Sequence, residues 1–220
     1  MPFTPHSASL TSMAYRHLVN EFNESVKIGN RRNSQTLGRV SLHECGHTLV
    51  IWFMPGSELL VHVTVIPDED GSDGATVTEA IELKTRRQQW AELVALLGGK
   101  VAERMFCKRS VGHRGADIPD ATRIAKKFAG FPAIGPLSKS QNKTIRRMLR
   151  QAEEEAEVIL HPRRRLLKKL AIRLFDSGTL SKIEVQRILD VAPAYEVRPR
   201  STRANPYLSD DGEEEFDALD

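Results

Sequence analysis

His43-Glu44-Cys45-Gly46-His47 constrains this chain more than any other stretch of it. Two histidines four residues apart on a helix share one face and can grip one metal ion. The glutamate between them lies beside that metal, where it can take a proton from a coordinated water. With seven histidines in 220 residues, shuffled order would produce this pattern about 0.02 times per chain. The flanks suit a helix that lines a core. Val40, Val50 and Met54 fall on neighbouring turns, and Pro55-Gly56 stops the run. The spacing predicts a helix from about Arg39 to Met54.

Zinc in a hydrolytic site needs a third protein ligand and an open position. A third histidine six residues after His47 would complete one common pattern, but Phe53 stands there. A glutamate on a second helix roughly 20 residues on would complete another. Glu69 has that spacing, yet Pro67 to Gly74 holds two glycines and no apolar period, so it reads as a turn. Asp117 stands at the start of another predicted helix, near Ile118-Pro119, where a carboxylate can project, and spacing alone leaves Asp120 as a rival.

The remaining pattern is mainly α with a small β hairpin or sheet. Residues 9–24 carry an apolar period, and 27–38 read as a polar loop. Residues 59–66 and Ala75 to Ile81 read as strands across the turn. Helices are expected over 86–106, from Ile118 to Phe128, and over 140–160, 162–176 and 181–190. From these follow three expected parts: an N-terminal helix and polar loop (1–36), the main domain (37–191) and a mobile acidic tail (192–220).

Composition narrows the setting. The hydrophobic fraction of 40% supports a real core. No apolar run approaches the roughly 20 residues of a membrane span, no secretory leader is visible, and two cysteines suit free thiols in a cytoplasmic protein. Seven of the 29 acidic residues crowd into the last 11, which leaves 22 against 32 basic residues elsewhere. Arg146, Arg147, Arg150, Arg163 to Arg165, Lys168 and Lys169 make a basic surface. Glu153 to Glu155 and Glu157 interleave with it, and aromatic stacking platforms are missing, so no nucleic acid is expected. Cys45, off the histidine face, reads as a buried thiol.

Several segments together resemble one family. Arg39 to Val50 is similar to the HEAGH helix in the peptidase domain of the FtsH family of ATP-dependent zinc proteases, with Cys45 in place of alanine. Val63-Thr64-Val65-Ile66-Pro67 resembles its VTIIP-type strand, and Leu96 to Glu103 its LLGGRVAEE helix. Asp117-Ile118-Pro119-Asp120-Ala121-Thr122 is similar to its NDL-x-x-AT segment, and Ile134-Gly135-Pro136-Leu137 to its LGPL. The helices over 140–190 match the order of its C-terminal bundle. The resemblance covers 37–190.

The resemblance implies a zincin-like helix, an FtsH-type fold, and Zn2+ held by His43, His47 and Asp117, with Glu44 as general base. It implies that Glu103 orients a ligand histidine and that the second strand pairs with an extended substrate. The expected function is a zinc metalloendopeptidase acting on unfolded polypeptides or peptides without its own ATPase motor. A separate AAA-type ATPase and a homo-oligomer are the partners it suggests. The other reading is a non-proteolytic zinc-bound module docking with such an ATPase. The chain departs from the family in having no G-x-x-x-x-G-K-[ST] loop, no membrane anchor, and Val111-Gly112-His113-Arg114 before Asp117. His113 there reads as a surface loop residue.

Overall fold

The structure, a computed structural model, describes residues 31–67, 73–107 and 117–196. Helix α1 (Arg31–Phe53) leads into strands β1 (Leu60–Thr64) and β2 (Ala75–Thr78). Helices α2 (Arg86–Phe106), α3 (Asp117–Phe128), α4 (Lys139–Leu160) and α5 (Arg164–Ser177) follow. Strand β3 (Thr179–Ser181) and helix α6 (Lys182–Leu189) come last, with short 3-10 turns at His161–Arg163 and Ala194–Glu196. The fold is mainly helical with one small sheet, as the sequence predicts.

Two expectations need correction. Residues 31–38 are helical, not loop. Gly38 is buried and Leu37 packs against the core, so tertiary contact overrides the weak propensity of Asn, Ser and Gly there. The sheet also has a third strand. Gly178 turns the chain at φ +76° after α5, and its carbonyl accepts from Val65 N at 2.9 Å. Leu180 then pairs with Val63, and the Thr64 and Thr179 hydroxyls lie 2.7 Å apart. Three residues are too few for alternation to announce a strand. The strand order is β2-β1-β3, antiparallel throughout, with β2 at the edge. The expected helix over 9–24, the acidic tail, Glu69 and His113 lie outside the described residues.

The core lies between α1, α2 and the C-terminal helices. Trp52 and Trp90 are fully buried within it, their indole N–H groups donating to Val191 O (3.2 Å) and Glu155 Oε2 (2.7 Å). Each polar atom of these large rings thus has a partner. Helices α2, α4 and α6 each start with a capping box, on Thr85/Gln88, Ser138/Gln141 and Ser181/Glu184.

The contact that positions the site is α1 against α2. A Cβ on Gly46 would stand 2.5 Å from Gly98 O, and one on Gly98 would stand 2.7 Å from Gly46 O. The two backbones therefore touch, which only glycine permits. This crossing brings Ala95, Gly99 and Glu103 of α2 against the histidines of α1.

Candidate metal and catalytic site

Three donor side chains converge at that crossing. His43 and His47 project from the same face of α1, their Nε2 atoms 3.0 Å apart. Asp117, the first residue of α3, places Oδ2 at 2.8 Å from His43 Nε2 and 3.5 Å from His47 Nε2. The three donor atoms lie within 4.8 Å of one another. Both histidines are buried; Asp117 is partly exposed, which leaves the cluster open on one side.

Second contacts fix the rings. His47 Nδ1 lies 2.7 Å from Ala95 O, which can only accept, so Nδ1 carries the proton. His43 Nδ1 lies 2.8 Å from Glu103 Oε1. Glu103 is fully buried, and Arg39 donates to its Oε2 through Nε and Nη2, both at 3.0 Å. With both Nδ1 atoms engaged as donors, two imidazole Nε2 atoms and one carboxylate oxygen face one another.

Three such atoms crowded together need a positive charge between them, a proton or a divalent cation. Burial alone would depress the His43 pKa. Hydrogen bonds that the ring donates to Asp117 and Glu103, with Glu44 nearby, overcome it and lift His43 from 6.5 to about 10. Burial would raise Asp117 and Glu103, but each is held below the usual carboxylate range, Asp117 by both histidines and Glu103 by His43 and Arg39. Without a cation, a proton on His43 holds the cluster together. A divalent ion must displace it, so binding at neutral pH should release about one proton. Calorimetry in buffers of different ionisation enthalpy measures that release. Affinity accordingly rises with pH as that proton becomes easier to displace.

Space is also reserved. A Cβ on Gly99 would stand 2.5 Å from His47 Nε2 and 2.7 Å from His43 Nε2. Gly99 thus roofs the donor cluster with backbone alone.

Glu44 lies beside the cluster, nearly buried, and faces β2. The Thr76 hydroxyl is 2.9 Å from Glu44 Oε2 and 3.0 Å from the Glu44 carbonyl. That carbonyl already accepts from Thr48 Oγ1 at 2.8 Å, so the carboxylate is the better recipient. Glu44, His47, Asp117 and the β2 residues Ala75, Thr76 and Thr78 line one cleft of about 290 Å³.

The structure therefore brings His43, Glu44, His47, Glu103 and Asp117 together. It leaves Asp120 out, engaged with Arg123 at 3.1–3.2 Å on the surface. Cys45 is a buried free thiol, with its pKa pushed well up by burial and then by Glu44. Sequence reasoning misses Arg39, Thr76 and the Ala95 carbonyl, none of which has a local signal. Gly99 did carry one, a Gly-Gly pair inside an apolar helix, which asks for close backbone approach.

Comparison with known proteins places these features in context. The description "Peptidase family M41" matches residues 30–130. The ATP-dependent zinc metalloprotease FtsH 1 of Symbiobacterium thermophilum is 30% identical over 173 residues, covering 70% of this chain and 29% of that protein. The FtsH of Mycobacterium tuberculosis (strain ATCC 25618 / H37Rv) is 30% identical over 192 residues, with 73% and 25% covered. The FtsH of Rhodococcus erythropolis is 27% identical over 215 residues, with 81% and 25% covered. The chain thus spans between a quarter and three-tenths of the length of these relatives. Among the described residues, no helix is long and apolar enough to cross a membrane.

Proposed function

The chain carries a peptidase domain of the FtsH family, peptidase family M41, and from that premise we propose that it is a zinc metalloendopeptidase cutting unfolded polypeptides or peptides. The observation that carries the reading is the convergence of His43 Nε2, His47 Nε2 and Asp117 Oδ2 within 4.8 Å of one another beside Glu44. Those three side chains would hold the ion. A zinc ion bound there would supply Lewis acidity to the attacking water and the scissile carbonyl.

The chain's own residues do the rest. Glu44 accepts the proton of the attacking water and hands it to the leaving amine. Thr76 holds the Glu44 carboxylate toward the cleft. Ala95 and Glu103 engage the two Nδ1 atoms and so turn both Nε2 atoms toward Asp117. The outer edge of β2 borders the cleft, and an extended peptide adds to it through backbone hydrogen bonds, which ask little of its sequence. No phosphate-binding loop occurs in the 220 residues, so an ATPase that unfolds folded substrates would act from outside them. Zinc-loaded protein should degrade an unfolded casein-type substrate, and a chelator should stop it until zinc is restored. An inert zinc-loaded protein would overturn the reading.

Glu103 sits behind the ligand His43 and away from the cleft. Glu103→Gln should weaken zinc binding by about 10- to 100-fold, measured by competition with a calibrated chelator. The amide keeps the shape but cannot hold both the Arg39 and His43 donors as a carboxylate does. Unchanged affinity would reduce Glu103 to a packing residue.

A further inference from the structure

We propose that the cleft beside Glu44 holds a subsite for a long cationic side chain, lysine or arginine, on a residue flanking the cleaved bond; this rests on the peptidase reading. The cleft extends past His47 between apolar walls formed by Ile51, Ala91, Ala95 and Leu96. At its far end stand Ser57, Glu58 and Glu92. Every charged residue lining the cleft is a carboxylate, apart from His47 if protonated.

The far end is built and not merely acidic. Lys84 lies behind the wall and bridges Glu58 Oε1 (2.7 Å) and Glu92 Oε2 (2.8 Å). The Thr78 hydroxyl donates to Glu58 Oε2. Two carboxylates against one ammonium leave one uncompensated negative charge. Burial would raise Glu58, but Lys84 and Thr78 hold it below its ordinary range, so it stays ionised.

Ser57 adds an independent observation. Its side-chain oxygen is buried, the residue only 8% exposed, and it has no hydrogen-bond partner. Buried hydroxyls in folded proteins are nearly always paired, so an orphan on a cleft wall calls for a donor from outside. A lysine or arginine meets all three demands. Its aliphatic stem lies along the apolar walls, its head reaches the spare negative charge, and an N–H remains for Ser57. An acidic side chain meets like charge there.

The test uses matched fluorogenic peptides that differ at one flanking residue, arginine, norleucine or glutamate, with the zinc-loaded full-length protein. The arginine peptide should exceed the norleucine peptide by about tenfold in kcat/KM, with glutamate lowest. Lys84→Met removes the countercharge and should raise the arginine-to-norleucine ratio. Glu92→Gln and Ser57→Ala should each lower it, so the inference does not hang on one variant's folding. Binding of the same peptides to zinc-loaded Glu44→Gln protein is measured in parallel. Cleavage without a basic preference, or a ratio indifferent to Glu92 and Ser57, overturns the subsite and leaves the peptidase reading standing. Binding that favours arginine without any cleavage by the wild type keeps the subsite and overturns the peptidase reading. Neither cleavage nor discrimination overturns both.

Discussion

Glu44→Gln should cut turnover of an unfolded substrate by about 1,000-fold while the protein keeps its zinc. The expectation separates chemistry from architecture. Glutamine has the shape of glutamate and still offers an oxygen to the Thr76 hydroxyl 2.9 Å away. Glu44 is not among the three converging donors, so the ion's own contacts are unchanged. The amide loses one thing, the ability to take and return a proton. Positioned general acid–base groups contribute roughly 10²- to 10⁴-fold, and Glu44 is proposed to serve in both halves of the reaction. Zinc content by elemental analysis, near-ultraviolet dichroism and cleavage rate together give the answer. Full zinc with near wild-type cleavage would strip Glu44 of its role. Normal fold with lost zinc would mean that Glu44 supports the ligands directly.

What the sequence reveals here depends on how local each cause is. His43, Glu44 and His47 are legible because their relation is a helical spacing, fixed within two turns. Helix α2 is legible for the same reason, and its predicted bounds coincide with Arg86–Phe106. Asp117 is a different case. Spacing leaves it level with Asp120, and what separates them is how α3 meets α1, a tertiary fact. The first turns of α1 hide because Leu37 and Gly38 are held by the core and not by propensity. Strand β3 hides because its pairing partner is more than 110 residues away and its length is three residues. Thr76 and Arg39 hide behind contacts with sequence separations of 32 and 64. The two histidine donors are thus written locally, whereas Asp117 and the groups that orient the rings come from the way α1, α2, α3 and the sheet meet.

Gly99→Ala tests that crossing, and it sets two rules against each other. By helix propensity alone, alanine should stabilise α2 by about 1 kcal/mol. The geometry predicts loss instead. The new methyl would stand 2.5 Å from His47 Nε2 and 2.7 Å from His43 Nε2 and Cε1, all well inside contact distance. Relief could come from withdrawal of α2 or from rotation of the rings. Withdrawal is resisted one residue earlier, where Gly98 already lies against the Gly46 backbone, and by the buried Val101 and Ala102 beyond it. Ring rotation breaks the 2.7 Å contact of His47 with Ala95 O or the 2.8 Å contact of His43 with Glu103. Either route spoils the convergence with Asp117. Zinc affinity should fall by about 100-fold or more, beyond the range for a lost outer contact, and cleavage should fall with it. The metal-free variant should also lose about 1–3 kcal/mol of stability, because either route costs buried packing or a buried hydrogen bond. A variant that binds zinc as tightly as the wild type would show that α2 yields at this point, and would remove the roof over the site from the account of metal binding.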